Sequence, residues 1–335
     1  MRGVDWSNLP LDIVERIIGH LGSLDRINMK AVCKAWSVST PHIPTIDNFP
    51  WALSGDRLIY PPLQKQFRGE EFQKIREARA HASSHGWVLY EVVEHEAPDF
   101  ASFFLYSPFT SEVIKLPESN FMGDDVVATF SLDATSPKCV IFGLSGRIRR
   151  RNTRIYICSP GDNAWKTYEI SIRKNVEHAA YAGDGVFYCV FSEGELGAFN
   201  LRLKEWSMLT SEELEDFNFR KAKLIASDGD LRLTNSQYQI LKFDFSEKRW
   251  VEDLNLNNRV LFIGGTCFSC PAVGETSQLA NHVFLCDWQR VRCYGTKYSD
   301  SLQYQNWLWT ALRSWIWIEF PSGVIWRAND LMTAP

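Results

Sequence analysis

The sequence lacks the features that mark a secreted, membrane or nucleic-acid-binding protein. No apolar run approaches the roughly 18 residues needed to span a bilayer. The first residues, Met1–Trp6, contain no basic stretch followed by an apolar one, so no secretory signal is predicted. An excess of positive charge is also missing, since 36 Lys and Arg stand against 40 Asp and Glu and give a formal net charge of −4. We expect location in the cytoplasm, the nucleus or both, and neither membrane nor nucleic acid as partner.

Sequence motifs for catalysis and cofactor binding are missing as well. There is no glycine-rich phosphate loop, no Gly-x-Ser-x-Gly elbow and no His-Glu-x-x-His. For His85, a buried and hydrogen-bonded structural role is favoured over a ligand contact. Cys267 and Cys270 form a CxxC, but Cys286 downstream lies in an apolar, strand-like run, so buried free thiols are favoured over a zinc site. We predict no catalytic residue, no metal and no cofactor, and therefore no enzyme.

Aromatic residues, in contrast, are abundant. The 335 residues include 13 Trp, 21 Phe and 11 Tyr, and the Trp residues are spread along the whole chain. The hydrophobic fraction of 45% and the charged fraction of 23% are those of an ordinary globular protein. The chain is too long for one small core. A repeated β architecture that places one large aromatic residue every few strands explains both the length and the aromatic content.

The first 44 residues predict three short helices. Pro10 suits the first turn of a helix, and Ile13, Ile17 and Leu21 follow at helical spacing until Gly22 ends it. Two more short helices are predicted before residue 41. A module this small buries too little apolar surface to be stable alone, so we expect it to complete its core against another protein. Packing onto the following domain is the alternative.

An internal repeat dominates residues 45–335. Four hairpins share the order strand, polar turn, Val or Trp, strand, and their marked residues are separated by 52, 41 and 44 positions: Val113, Trp165, Trp206 and Trp250. A period of this length with one hairpin and one Trp per unit is typical of a β-propeller blade. At roughly 45 residues per blade, the segment predicts a mainly β fold with six blades, seven being the alternative. The Trp residues are interpreted as core between blades rather than as ligand platforms.

Three further segments stand out in the propeller region. The charged stretch Lys65–Ala82 predicts a surface helix inserted near residues 65–82. Between Arg147 and Arg154 lie five Arg in eight residues, interpreted as a hairpin tip in solvent, with nuclear import or contact with an acidic partner as alternatives. A cluster of Trp near the C-terminal end predicts the blade that closes the ring: Trp307, Trp309, Trp315, Trp317 and Trp326.

The N-terminal segment resembles an F-box, because a Leu-Pro start and a Val-Cys-Lys-Ala-Trp end occur together at the right separation. In that family the helices bind a Skp-type adaptor, which links them to a cullin–RING ubiquitin ligase. By this resemblance eight residues form the adaptor contact and the small core behind it: Leu9, Pro10, Ile13, Val14, Ile17, Leu21, Val32 and Trp36.

The remainder resembles the KIB-type β-propeller domain that follows F-boxes in a large plant family. The resemblance rests mainly on Ser83-Ser-His85-Gly86-Trp87 and on Pro108-Phe-Thr-Ser-Glu-Val-Ile-Lys-Leu-Pro117. It implies a non-catalytic substrate receptor of a Skp–cullin–F-box ubiquitin ligase, which binds a protein target through the propeller for ubiquitination and degradation. It names neither the target nor the propeller face that binds it. The alternative hypothesis is a propeller that binds a small ligand or acts as an enzyme, with a helical appendage of no function.

Overall fold

A computed structural model describes the following residues: 9–10, 13–14, 50–54, 57–60, 65–68, 75, 78–93, 101–119, 126–145, 153–172, 174–210, 214, 217–220, 222–235, 239–253, 255–272, 277, 279–286, 291–295 and 316–319. These residues form a mainly β protein of six four-stranded sheets. None of the described residues belongs to a helix with the length and apolarity that crossing a bilayer requires.

Four of the sheets follow the chain in simple antiparallel order, from the innermost strand outward. Sheet 2 consists of β4 (Arg79–Ser84), β5 (Trp87–Val93), β6 (Ala101–Ser107) and β7 (Glu112–Lys115). Sheet 3 consists of β8 (Val126–Phe130), β9 (Ile141–Ser145), β10 (Thr153–Cys158) and β11 (Lys166–Ile170). Sheet 4 consists of β12 (Val176–Tyr181), β13 (Val186–Phe191), β14 (Leu196–Asn200) and β15 (Glu205–Thr210). Sheet 5 consists of β16 (Lys223–Ser227), β17 (Asp230–Thr234), β18 (Ile240–Asp244) and β19 (Arg249–Glu252).

Two sheets depart from this order. Sheet 1 joins the first and last strands of the described chain, because β24 (Ile316–Ile318) pairs antiparallel with β1 (Trp51–Ser54), followed by β2 (Arg57–Tyr60) and β3 (Lys65–Arg68). Sheet 6 has the order β21 (Cys267–Pro271), β20 (Arg259–Ile263), β22 (His282–Cys286) and β23 (Val291–Gly295). There β20 and β22 run parallel. The chain therefore passes from the innermost strand β21, on one side of β20, to β22 on its other side.

The innermost strands of the six sheets contact one another in a closed series: β24, β4, β8, β12, β16 and β21, which returns to β24. Alternation along the strands places apolar residues between neighbouring sheets, where buried clusters hold them together. A closed ring of sheets that pack face to face is a β-propeller, so the prediction of a mainly β propeller fold is confirmed.

The four marked residues of the predicted repeat fall where a blade hairpin requires them. Val113, Trp206 and Trp250 lie in the fourth strands of sheets 2, 4 and 5, and Trp165 directly precedes that of sheet 3. The indole N–H of Trp250 donates to the carbonyl of Gly194 in the preceding sheet, at 2.9 Å. The indole N–H of Trp165 donates in the same way to the carbonyl of Pro117, at 2.8 Å. These two hydrogen bonds link sheet 5 to sheet 4 and sheet 3 to sheet 2.

The C-terminal tryptophan cluster contributes to closure through Trp317, which lies fully buried in β24. Its backbone N–H donates to the hydroxyl of Thr266 at 3.0 Å, and its indole N–H donates to the carbonyl of Ile263 at 3.2 Å. The other four Trp of the cluster lie outside the described residues. Trp317 thus attaches sheet 1 to sheet 6.

The predicted helix near residues 65–82 is wrong at both of its ends. Residues 65–68 form β3, and Arg79–Ser84 forms β4, the innermost strand of sheet 2. The prediction relied on alternating charge, which does not distinguish the residue period of a helix from that of a strand. In β4 the positions that turn inward are His81 and Ser83, so the strand carries no alternation of apolar residues that a sequence reader can recognise.

Candidate functional site

A cavity of about 670 Å³ lies where the innermost strands of sheets 2 to 6 meet. Its walls carry mainly small or polar side chains, because the strands approach closely near the axis of the ring. Two histidines enter it from sheets that are not neighbours, His81 from β4 and His178 from β12. Thr129 and Cys267 line it from two further sheets.

Both histidines of the cavity are kept neutral by their surroundings. Burial lowers the pKa of His81, although the carboxylate of Glu91, 2.7 Å from its Nε2, opposes that shift. Burial lowers the pKa of His178 well below the usual value, and the charge of Lys223 acts in the same direction. The backbone N–H of Leu224 donates to His178 Nδ1 at 3.3 Å, which leaves the ring proton on Nε2. The cavity interior therefore offers neutral hydrogen-bonding groups at neutral pH.

One end of the cavity opens among turns, and we call this end the mouth. Three carboxylates line it, namely Asp184, Asp228 and Glu319, together with the guanidinium of Arg259 and the ring of Tyr181. Arg259 forms an ion pair with Asp228 and donates from Nε to the hydroxyl of Ser269 at 2.6 Å. The mouth therefore carries more negative than positive charge.

Tight hairpin turns bring these groups to the mouth. The β4–β5 turn has positive φ at His85 and Gly86, and the β16–β17 turn has it at Asp228 and Gly229. Positive φ at both central residues is the type I′ geometry that matches the twist of paired strands. The backbone N–H of His85 donates to Oε2 of Glu319 at 2.8 Å. The mouth is consequently built from short turns of regular geometry.

His85 is hydrogen-bonded but not buried, so the prediction for it is only half right. Its Nδ1 lies 2.8 Å from the hydroxyl of Ser84, and its side chain is exposed at the mouth. The Ser-Ser-His-Gly-Trp segment that identified the propeller family is therefore the β4–β5 hairpin. The motif pointed to this hairpin. His81, four residues earlier in β4, belongs to no motif and was therefore missed.

The cysteines of the CxxC do not converge. Cys267 and Cys270 lie three positions apart on β21, so their side chains alternate to opposite faces, and neither forms a disulfide. Burial raises the pKa of the Cys267 thiol. Within the described part of the chain, no group of three or more His, Cys, Asp or Glu is arranged to hold a metal ion.

Four of the eight predicted adaptor-contact residues lie in the described part of the chain. The backbone N–H groups of Ile13 and Val14 donate to the carbonyl of Pro10 at 3.0 and 3.1 Å, as in the first turn of a helix. Val14 is 1% exposed, Ile13 is 37% exposed, Pro10 is exposed, and Leu9 is half-buried. The remaining predicted residues lie outside the described ranges: Ile17, Leu21, Val32 and Trp36.

The basic segment Arg147–Arg154 is described only at its end. Arg154 lies exposed on β10, and its guanidinium forms an ion pair with Glu169 of β11 at 3.0 Å. The residues from Arg147 to Arg151 lie outside the described ranges, so the roles predicted for this segment stay predictions.

Comparison with known proteins gives two family matches. The sequence model of the KIB1-4 β-propeller matches residues 59–305, well over half of the chain, and that of the F-box domain matches residues 6–38. An F-box/kelch-repeat protein of Arabidopsis thaliana is 24% identical over 88% of this chain and 85% of its own length. A second Arabidopsis F-box/kelch-repeat protein is 24% identical over 82% of this chain and 76% of its own length.

Among solved structures, a protein of unknown function from Bacteroides thetaiotaomicron is similar with a TM-score of 0.41 and 11% identity, over 73% of this chain and 61% of that one. A likeness at that level supports no inference about function. The matches to the F-box domain and to plant F-box proteins point to a non-catalytic adaptor role. The chain belongs to the KIB1-4 β-propeller family and carries an F-box domain ahead of the propeller.

Proposed function

We propose that this protein is the target-binding subunit of a Skp–cullin–F-box ubiquitin ligase. The observation that carries the proposal is the order of the two matches, with an F-box at residues 6–38 followed by a propeller at 59–305. In this proposal residues 1–44 bind the Skp-type adaptor, and residues 45–335 form a propeller whose six sheets are its six blades. The complex works in the cytoplasm, the nucleus or both.

The mechanism is proximity rather than chemistry. A target held on the propeller has its lysines at high effective concentration near the ubiquitin-loaded enzyme, and ubiquitination leads to degradation. No residue of this chain takes part in bond formation in that scheme.

Differences in burial support different proposed roles for the described F-box residues. Val14 is almost fully buried and serves the core of the module in this proposal. Pro10 and Ile13 are exposed, so they are free to contact the adaptor. The Pro10→Ala/Ile13→Asp variant should therefore lose the adaptor while the propeller remains folded.

Co-purification of the full chain with a co-expressed Skp-type adaptor tests the proposal. The wild type and a Val113→Asp control, changed at an exposed apolar residue of β7, should retain the adaptor. The Leu9→Ala/Pro10→Ala and Pro10→Ala/Ile13→Asp variants should lose it. Unchanged binding by both double variants would contradict the proposal.

The cavity supports a second candidate function, binding of a small ligand. Two neutral histidines, the buried His81 and the half-buried His178, and several hydroxyl groups face a space of about 670 Å³, which is within the range of small-molecule sites. A thermal-shift screen of small polar metabolites against the full chain and its His178→Gln variant tests it. Stabilisation of the wild type alone would favour this candidate.

A further inference from the structure

We propose that the mouth of the cavity receives a lysine or arginine side chain from a basic segment of the target protein. This inference rests on the proposed role as a target-binding subunit. It selects one of the two faces of the propeller and the chemical class of segment that binds there.

Two carboxylates at the mouth lack a compensating positive charge. Among the described residues, neither Asp184 nor Glu319 forms an ion pair, whereas Asp228 is paired with Arg259. Hydrogen bonds hold both carboxylates in place, since Asp184 Oδ1 accepts from the N–H of Val186 at 3.1 Å and Glu319 accepts from the N–H of His85. A cation that enters the mouth therefore meets fixed charges and finds no bound competitor among these groups.

The cavity behind the mouth has the room and the polarity for a long cationic side chain. Its volume of about 670 Å³ exceeds that of any single side chain, and Tyr181 forms part of its wall. His81 and His178 are neutral at physiological pH and so do not repel a cation. Lys223 begins β16, and its positive charge acts on His81, His178 and Cys267 deep in the cavity. The cationic group of the target is therefore held by the carboxylates of the mouth, at the other end of this strand beside Ser227.

An exposed aromatic residue lies beside the mouth. Phe245, in the β18–β19 turn, is 44% exposed, yet its ring contacts Phe243 at 5.1 Å and Tyr188 at 6.0 Å between centroids. The hydroxyl of Tyr188 donates to Asp184 Oδ2 at 3.4 Å, which connects this aromatic group to the acidic mouth. A pre-positioned, exposed aromatic ring is typical of an interaction anchor, and it also attracts cations. The segment that fits has a basic residue next to an apolar one.

Photo-cross-linking identifies the bound segment. The full chain, co-purified with the Skp-type adaptor, carries benzoylphenylalanine in place of Phe245, and a control carries it in place of Val113, an exposed residue of β7. Both are irradiated in plant extract, and the cross-linked peptides are sequenced by mass spectrometry. Position 245 should yield peptides with Lys or Arg within a few residues of the cross-link, and position 113 should not.

A synthetic peptide with the cross-linked sequence then tests the charges by fluorescence anisotropy. The Asp184→Asn/Glu319→Gln variant should bind it roughly tenfold more weakly, and the difference should shrink as the salt concentration rises. The matched control, Asp162→Asn/Glu112→Gln, removes one half-buried and one exposed carboxylate outside the cavity lining and should bind like the wild type. Urea unfolding followed by tryptophan fluorescence checks that the propeller of each variant is folded.

Several results would overturn the inference. They are cross-linked segments without basic residues, target cross-links from position 113 but not from 245, or equal affinities for the two double variants. If the wild type did not bind the adaptor, that result would instead contradict the proposed function. It would not decide whether the mouth binds a basic segment, which the cross-linking tests separately.

Discussion

Substitution of Gly197 offers a sharp test of how the sheets pack. A Cβ atom at Gly197 on β14 would overlap the indole ring of Trp206, which lies across this glycine on the neighbouring strand β15. The ring also contacts Phe191 edge-on, with 6.2 Å between centroids, so it has little freedom to move away. Overpacking of this kind costs about 1–3 kcal/mol. Because alanine also reduces the entropy of the unfolded chain by about 0.5–1 kcal/mol relative to glycine, we expect Gly197→Ala to destabilise by about 1–2 kcal/mol.

Gly143 on β9 supplies the matched control for this prediction. A Cβ there would meet Val126 Cγ1 at 3.5 Å and Tyr156 Cβ at 3.7 Å, which are ordinary contacts. Gly143→Ala should therefore be neutral or slightly stabilising in urea unfolding followed by tryptophan fluorescence. The Gly197→Ala/Trp206→Leu variant should be less destabilised than the sum of its single variants. Equal effects of the two glycine substitutions, or strict additivity in the double variant, would refute the reasoning.

Three further predictions concern buried polar groups. Trp250→Phe should cost about 1–3 kcal/mol in urea unfolding, because the carbonyl in the neighbouring sheet loses its buried donor, and Trp165→Phe, whose indole is only half-buried, should cost less. The pKa of His178 is lowered in the folded state, so the unfolded chain takes up the proton at a higher pH than the folded chain does. The free energy of unfolding should therefore fall as the pH drops below about 6.5, and it should depend less on pH in the His178→Gln variant. Asp253→Ala removes one of the two carboxylates that pair with the buried guanidinium of Arg232, at 2.8 Å, and leaves Asp230 at 3.0 Å. It should therefore cost about 2 kcal/mol, measured by the same unfolding assay.

Sequence alone predicted the parts of the fold that depend on local pattern. The hairpins marked by Trp165, Trp206 and Trp250 were predictable because a polar turn and an indole recur at a nearly constant spacing. The segment from Ser83 to Trp87 was singled out as a family motif, although the type I′ turn that it forms at His85 and Gly86 was not predicted. In both cases the signal lies in a few consecutive residues.

The remaining features depend on pairing between distant strands. In sheet 6 the strand order β21-β20-β22-β23 follows from a crossover that no short pattern encodes. The innermost strand β4 was taken for part of a helix because its inward positions are polar. His81 and His178 share the cavity only because two separate sheets present equivalent strands to the axis, so their positions along the chain do not reveal it.

Under the proposed function, the strand that closes the ring would also link target capture to completion of the propeller. β24 supplies the innermost strand of sheet 1, and Glu319 follows it directly at the mouth. A chain truncated before β24 would keep its F-box yet leave the ring open and the mouth short of one carboxylate. During synthesis the F-box would emerge before the mouth is complete, because residues 6–38 precede Glu319 in the chain. Truncated chains would then compete for the adaptor without binding targets through this mouth, which would make them inhibitors of the ligase rather than merely inactive forms.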